Sequence, residues 1–206
     1  MITNLKNKKV FISGSSKGIG LSIAQQFINE DALVCINSRY KKNLLNISEK
    51  IQNNNLKFVA GDLTKESKIK ATVDKAAKEM KGIDILICNL GDGRKVKPSG
   101  DENFVDWEKS LKINLLSCTN LVYHSLKYLK RSTNASIVCI SSTSGIVTSQ
   151  APLDYSAFKS AMISYVRNQS INLSKFGIRI NCVTPGNIFS LDGRWPEKFK
   201  KNSKLE

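Results

Sequence analysis

The chain has 206 residues and a formal net charge of +15, with 41% hydrophobic and 24% charged residues. These values are typical of a single soluble globular domain with a real core. No apolar run approaches the ~20 residues of a membrane span, and residues 1–6 lack the apolar core of a signal peptide, so we expect no membrane partner and a cytoplasmic location.

The positive charge admits two interpretations. It could be an electrostatic footprint for nucleic acid or an acidic partner. However, the basic residues are spread along the whole chain, with neither an arginine-rich block nor an RNA-binding signature. We therefore favour scattered, solvated lysines and expect no nucleic-acid partner.

The cysteines give no sign of a metal site. Most lie inside apolar runs, no Cys-x-x-Cys pair occurs, and the only histidine is His124. We predict reduced, buried thiols and no metal.

A glycine-rich turn follows the first predicted strand, at residues 9–13. It reads Gly-Ser-Ser-Lys-Gly-Ile-Gly over residues 14–20, and a helical pattern follows at residues 21–28. Gly14 would permit a tight turn, Gly18 would allow close approach of a pyrophosphate, and Gly20 would let the helix pack on the strand. The helix N-terminus would supply free N–H groups for the phosphate.

The second predicted strand, at residues 32–37, is followed by Ser38 and Arg39. An acidic residue there would hydrogen-bond a ribose 2′-hydroxyl. Arg39, together with Lys17 in the glycine turn, instead suits a 2′-phosphate, so NADP(H) is preferred over NAD(H).

The third strand is predicted at residues 56–60 and the fourth at 84–88. Asp62 follows the third; it could accept a hydrogen bond from an adenine amino group, cap a helix predicted over 64–80, or do both. Asn89, Leu90 and Gly91 follow the fourth. Residues 92–103 form a polar loop where a substrate loop is expected.

A long helical pattern covers residues 104–129 and contains Asn114 between apolar neighbours. A buried asparagine needs hydrogen-bond partners, so Asn114 either stabilises a kink or is functional.

The fifth predicted strand, at residues 135–140, leads to Ser142 and then to a helix over about 155–175 that begins with Tyr155 and Lys159. Four residues apart, these two side chains share one helix face. A phenol has a pKa near ~10, and a neighbouring ammonium favours the phenolate and lowers that pKa, which suits acid–base chemistry. Taken alone, the pair is a weak signal, and an exposed tyrosine and a solvated lysine on an ordinary helix would be favoured.

Six strands, the last at residues 178–183, alternate with helices. This predicts a Rossmann-like doubly wound parallel α/β sheet with helices on both faces, in a single domain. Each candidate segment falls at the carboxyl end of a strand, where such sheets bind ligands.

These motifs, in this order and at these spacings, resemble the short-chain dehydrogenase/reductase family over nearly the whole chain. The matching pieces are residues 14–20, Asp62-Leu63, Asn89-Leu90-Gly91, Asn114, Ser142, Tyr155-x-x-x-Lys159 and Pro185-Gly186. Residues 185–195 and the turn at 89–93 resemble the branch of 3-oxoacyl-acyl-carrier-protein reductases.

The resemblance implies hydride transfer between a nicotinamide and a ketone or secondary alcohol. Tyr155 would be the general acid–base, Lys159 would lower its pKa and hold the ribose, Ser142 would bind the substrate oxygen, and Asn114 would bind a water linked to Lys159. The cofactor-binding positions it implies are Gly14, Ser16, Lys17, Gly18, Ile19, Gly20, Ser38, Arg39, Asp62, Leu63, Asn89, Gly91, Tyr155, Lys159, Pro185, Gly186 and Ile188.

This chain departs from the family pattern at three places. Leu90 replaces a common alanine, Ser190 is the nearest candidate for a threonine after Pro185-Gly186, and the chain is short, so the final strand and the substrate lid are expected to be missing after residues 190–206. An inactive, cofactor-binding regulatory or scaffold protein is therefore the alternative. We expect a homodimer or homotetramer and a small carbonyl or alcohol substrate.

Overall fold

The computed structural model describes residues 4–93 and 100–188. Within them, six parallel strands form one sheet in the order β3-β2-β1-β4-β5-β6. The strands are β1 Lys9–Ile12, β2 Leu33–Ser38, β3 Leu56–Ala60, β4 Ile85–Cys88, β5 Ser136–Ile140 and β6 Arg179–Val183. The predicted doubly wound α/β sheet is confirmed, and every predicted strand is present to within a residue at each end.

Helices cover both faces of the sheet. They are α1 Gly18–Asn29, α2 Lys41–Ile51, α3 Glu66–Met80, α4 Phe104–Leu111, α5 Ser117–Leu129 and α6 Leu153–Ser174. One core cluster contains buried side chains of α1 and α2, and the other contains those of α3, α5 and α6. Because the inner strands are covered on both faces, they are almost continuously apolar; all four residues of β4 are buried.

The first half of the chain winds on one side of β1 and the second half on the other. The strand order reverses between β1 and β4, which are hydrogen-bonded neighbours: β2 and β3 lie beyond β1 on one side, and β5 and β6 lie beyond β4 on the other. The crevice above the carboxyl ends of these strands is the expected ligand site of such a sheet. No helix among residues 4–93 and 100–188 is both long enough and apolar enough to cross a membrane.

The predicted helix over residues 104–129 is present but interrupted. Residues Lys112–Leu116 form a π-helical turn between α4 and α5. Such a turn inserts one extra residue into a helix and is frequent at functional sites. Asn114, the buried asparagine of the sequence pattern, lies at its centre with no exposed surface.

The helix predicted over residues 64–80 begins later, at Glu66, and Asp62 does not cap it. The Asp62 carboxylate instead accepts hydrogen bonds from the Thr64 backbone N–H (3.1 Å) and hydroxyl (2.7 Å). Asp62 therefore closes the turn that follows β3, four residues before the helix begins at Glu66.

Candidate active site

The glycine turn lies between β1 and α1. Gly14 and Gly18 have φ values of +58° and +57°, which non-glycine residues rarely adopt. A Cβ on Gly20 would lie 2.5 Å from the Asn89 amide nitrogen and 2.8 Å from the Gly14 carbonyl oxygen. The inner side of the turn therefore has no room for a side chain at Gly20. The backbone N–H groups at the start of α1 are accessible to a ligand.

Asn89 supports this turn from the neighbouring strand. Its amide nitrogen donates to the carbonyl oxygens of Ser13 (3.1 Å) and Gly14 (2.9 Å). The Ser13 hydroxyl accepts from the backbone N–H groups of Asn89 and Leu90. Leu90 contacts Gly14 and packs against the core. The ends of β1 and β4 are thus joined into one rigid platform.

Arg39 and Asp62 lie together at the outer end of the crevice. Burial alone would raise the pKa of the Asp62 carboxyl, but the hydrogen bonds from Thr64 and the positive charges of Arg39 and Lys65 outweigh it, and the net shift is downward. The Arg39 guanidinium stacks on the Tyr40 ring, 5.6 Å from its centroid. Ser38 is the buried last residue of β2, and Lys17 is exposed at the start of α1.

Tyr155 and Lys159 lie on α6, on the same side of the helix. The Lys159 ammonium is 5.7 Å from the centroid of the Tyr155 ring. Lys159 is only 2% exposed, and its ammonium donates to the Ile140 carbonyl oxygen at 2.7 Å. Burial lowers the pKa of Lys159, and the nearby thiols oppose that shift. A buried ammonium close to a phenol is suited to stabilising negative charge on the phenol oxygen.

The loop after β4 passes directly over this pair. A Cβ on Gly91 would lie 2.9 Å from the Lys159 ammonium, and a Cβ on Gly93 would lie 3.1 Å from the Tyr155 ring. Glycine at both positions lets the backbone approach the two side chains closely.

Asn114 fixes this loop. Its Oδ1 accepts from the Asp92 backbone N–H (2.8 Å), and its Nδ2 donates to the Asp92 carbonyl oxygen (3.0 Å) and to the Ser110 hydroxyl (3.1 Å). The π-helical turn presents the side chain in this direction. The contact with Asp92 could not be predicted from the sequence, because the two residues are 22 positions apart along the chain.

The end of β5 is tied to α6. The Ser141 hydroxyl donates to the Lys159 carbonyl oxygen at 2.7 Å, a contact that the sequence did not indicate. Ser142 is mostly buried, and its hydroxyl accepts from the Ser144 N–H at 3.2 Å. A Cβ on Gly145 would lie 2.7 Å from the Lys159 carbonyl carbon, so α6 packs tightly on this turn.

The segment after β6 closes the crevice on its far side. The Pro185 carbonyl oxygen accepts from the Thr143 N–H at 3.0 Å, next to Ser142. Gly186 and Ile188 follow it and are exposed. Ser190 lies outside the described residues.

Comparison with known proteins identifies the family. The family described as short chain dehydrogenase matches residues 8–191. The chain belongs to the short-chain dehydrogenase family.

Curated relatives of this family are similar over most of the chain. Glucose 1-dehydrogenase of Gluconobacter oxydans is 32% identical over 204 residues, covering 94% of this chain and 75% of the relative. L-fucose dehydrogenase of Mus musculus is 25% identical over 189 residues, covering 92% and 68%. The chain is therefore a short-chain dehydrogenase/reductase enzyme. The resemblance to the 3-oxoacyl-acyl-carrier-protein reductase branch stays a prediction.

Solved structures show the same fold. A short-chain dehydrogenase/reductase of unknown function from Caenorhabditis elegans, solved with cofactor, has a TM-score of 0.81 and 31% identity, covering 88% of this chain and 70% of that one. A putative short-chain alcohol dehydrogenase from Sinorhizobium meliloti has a TM-score of 0.87 at 24% identity, covering 99% and 82%.

The residues present fit the nicotinamide cofactor that the family implies. A Cβ on Gly14 or Gly20 would press on Leu90 or Asn89, whereas Gly18 has a φ of +57° and open space beside it. Lys17 and Arg39 place two positive charges beside this turn, and Lys159 is the buried cation at the other end of the crevice. The glycine turn would hold the pyrophosphate and Lys159 the ribose next to the nicotinamide.

Sequence reasoning missed one buried group near this site. The thiols of Cys88, Cys118 and Cys139 come together within 4.8 Å of one another. The available signal was the position of the cysteines: Cys88, Cys139 and Cys182 each stand at or next to the last residue of successive strands. In-register parallel pairing puts such residues side by side.

Proposed function

We propose that this chain is an NADP(H)-dependent oxidoreductase that transfers hydride between the nicotinamide and a ketone or secondary alcohol, with Tyr155 as the acid–base. The observation that carries the proposal is the buried Lys159 ammonium, 5.7 Å from the Tyr155 ring centroid, beneath a loop fixed by Asn114. A solvated surface pair would have neither this burial nor the loop packed over it. The alternative interpretation of Tyr155 and Lys159 as a solvated surface pair is thereby disfavoured.

Tyr155 would pass a proton to the substrate oxygen during reduction and accept it during oxidation. Lys159 stabilises the phenolate form through its positive charge, which acts strongly because it lies in a region of low dielectric constant. Ser142, at the adjacent strand end, would donate a hydrogen bond to the same oxygen. The bound nicotinamide supplies or accepts the hydride.

Asn114 would act as a positioning residue as well as a ligand for a water next to Lys159. By holding Asp92 at both its N–H and its C=O, it sets the height of Gly91 above the ammonium. Positioning of this kind matters because a misplacement of about 1 Å in an active site costs roughly 10²-fold in rate.

Two positive charges and one neutral residue support the preference for NADP(H). Lys17 and Arg39 are exposed cations at the adenosine end, and Ser38 occupies the end of β2 where an acidic residue would repel a phosphate. The positive charge of Arg39 contributes to the lowered pKa of Asp62, so the arginine lies near this edge of the sheet. We expect Arg39→Ala to weaken NADPH binding about tenfold or more and to leave NADH binding nearly unchanged, as for loss of a charge-assisted contact.

Calorimetry with both dinucleotides tests this preference. Arg167→Ala, which removes an exposed arginine from α6, is the matched control and should change neither affinity. Equal weakening of NADPH and NADH binding by Arg39→Ala would show that Arg39 does not contact a 2′-phosphate.

Tyr155→Phe tests the chemical role. It should lower kcat by about 10²–10⁴-fold, the usual contribution of a general acid–base, while leaving the Kd for NADPH close to that of the wild type. Tyr123→Phe, at a 69% exposed position on α5, is the control and should retain full turnover. Turnover that survives in Tyr155→Phe would remove the assigned role.

Measurements of cofactor binding and turnover also distinguish the proposed enzyme from the alternative of an inactive, cofactor-binding protein. NADPH binding by the wild type without turnover of any ketone, aldehyde or secondary alcohol in a broad panel would favour a cofactor-binding regulatory protein. Absence of NADPH and NADH binding would exclude both proposals.

We further propose that the chain assembles as a homodimer or homotetramer through the helices between β4 and β6. Large apolar side chains are exposed there: Phe104 at 82%, Tyr123 at 69% and Ile171 at 75%. These side chains are available to pack against a second copy of the chain, as apolar surface does at protein interfaces. Light scattering coupled to size exclusion gives the mass of the assembly; a monomer at micromolar concentration would contradict this.

A further inference from the structure

A compact group of thiols lies in the core immediately behind the candidate active site. The sulfur atoms of Cys88, Cys118 and Cys139 all lie within 4.8 Å of one another, and those of Cys118 and Cys139 are 3.5 Å apart. Each of the three residues is at most 2% exposed. In the described part of the chain, this is the single cluster of three or more potential metal-binding side chains.

The sheet register explains why the thiols meet. Cys88 of β4 is the register partner of Cys139 of β5, and Cys139 is the partner of Cys182 of β6. Paired residues of parallel strands present their side chains to the same face. Cys118 reaches the same place from α5, which covers that face. The group therefore depends on one helix and two adjacent strands of the rigid core.

The spacing suits a soft metal ion. Three thiolates that each lie about 2.3 Å from one ion have sulfur atoms roughly 3.8–4.0 Å apart in trigonal or tetrahedral geometry. The observed separations, from 3.5 Å to no more than 4.8 Å, bracket that value. Small side-chain rotations would therefore close the site. Thiolate ligands select soft ions over magnesium or calcium.

The local charges also fit. Three thiolates around a divalent ion leave one negative charge, which would be costly in the core without a partner. Lys159 supplies the opposite charge, since its ammonium interacts electrostatically with all three cysteines.

We propose that Cys88, Cys118 and Cys139 form a three-thiolate site for a soft divalent d¹⁰ cation, such as Cd²⁺ or Zn²⁺. On binding, three S–H bonds break, three S–metal bonds form, and three protons pass to solvent. No oxidant or reductant is required. The site would hold the ends of β4 and β5 against α5, directly behind Lys159.

Cys182 provides the route of entry. It is half-buried, and its strand β6 is the edge strand of the described sheet. Its thiol interacts electrostatically with those of Cys118 and Cys139 and is the next member of the same row. A cation captured at the edge could pass from Cys182 to the buried three.

Titration of the reduced protein with Cd²⁺ in thiol-free buffer tests the proposal. We expect an ultraviolet thiolate-to-cadmium charge-transfer band that saturates at one ion per chain, with three protons released per ion in weakly buffered solution. Cys118→Ala and Cys139→Ala should each weaken Cd²⁺ binding at least 100-fold. Cys35→Ala is the matched control, because Cys35 is equally buried in the same sheet but belongs to no cluster.

The outcomes are separable. Loss of the band in Cys35→Ala to the same extent as in Cys118→Ala, or its retention in Cys118→Ala and Cys139→Ala, would overturn the site. Where circular dichroism shows that a variant does not fold, ¹¹³Cd NMR of the wild type decides: a resonance in the range of sulfur-only coordination supports the site, and one in the range of oxygen or nitrogen ligands refutes it.

Discussion

Substitution of Asn114 by alanine isolates the contribution of the π-helical turn. The variant would remove the acceptor of the Asp92 N–H and the donor to the Asp92 carbonyl oxygen, at 2.8 Å and 3.0 Å, and a third bond to the Ser110 hydroxyl at 3.1 Å. Asn114 has no exposed surface, so water cannot replace its amide without rearrangement of the loop.

The magnitude follows from these contacts. Each hydrogen bond contributes about 0.5–1.5 kcal/mol net, and the small cavity left by the amide adds to the loss, so we expect about 2–3 kcal/mol of destabilisation. For a chain of this size, 1 kcal/mol corresponds to roughly 2–4 °C in Tm, so the melting temperature should fall by about 4–12 °C. The loop at Asp92 would also lose its anchor, and turnover should fall with it.

Thermal unfolding followed by circular dichroism measures the loss of stability, and hydrogen exchange at the Asp92 amide measures the loss of the loop's anchor. Asn168→Ala is the control: this asparagine is exposed on α6, and its amide donates only to the Ser164 carbonyl oxygen four residues earlier. Its removal should change stability by less than about 0.5 kcal/mol. An Asn114→Ala variant that melts within about 1 °C of the wild type would refute the assigned bracing role.

Three further substitutions probe other parts of the structure. Gly91→Ala places a Cβ 2.9 Å from the Lys159 ammonium; kcat should fall roughly 10²-fold with little change in melting temperature, because the displaced group is catalytic. Gly20→Ala places a Cβ 2.5 Å from the Asn89 amide nitrogen; chemical denaturation should show a loss of about 1–3 kcal/mol, and dinucleotide binding should weaken. The Asp74 carboxylate accepts hydrogen bonds from Lys127, Lys70 and Tyr128, and that from Lys127 contributes most to holding its pKa well below the ordinary range. Ionised Asp74 therefore stabilises the fold above the unfolded pKa of about 3.9, and this stabilisation is lost as the pH falls below that value. The stability difference between wild type and Asp74→Asn should be about 1 kcal/mol at pH 6 and should shrink in urea titrations below about pH 4, and a difference independent of pH would contradict the assignment.

The sequence alone determined the fold and the location of the candidate site. The apolar runs that became β1 to β6 are short and separated by helical patterns, and these are local properties that can be counted along the chain. Because parallel strands all end at the same edge, the polar residues that follow them could be placed at one crevice. Tyr155 and Lys159 could be placed on one helix face by their spacing alone.

The tertiary structure decided how these residues are held. The bonds of Asn114 to Asp92, of Lys159 to the Ile140 carbonyl and of Asn89 to the glycine turn join residues 22, 19 and 75 positions apart. No local propensity encodes such pairs. The expected capping role of Asp62 failed for a related reason, since the turn bonds to Thr64 competed with the helix start.

The cluster of three thiols shows most clearly what the sequence determines and what only the tertiary structure decides. The sequence placed each cysteine in an apolar run and thus in the core, but their spacing along the chain excluded every familiar metal motif. Strand register and the docking of α5 brought Cys88, Cys118 and Cys139 within 4.8 Å. Periodicity determines which face a side chain occupies, whereas packing between elements determines which side chains share that face, and only the folded chain contains the second kind of information.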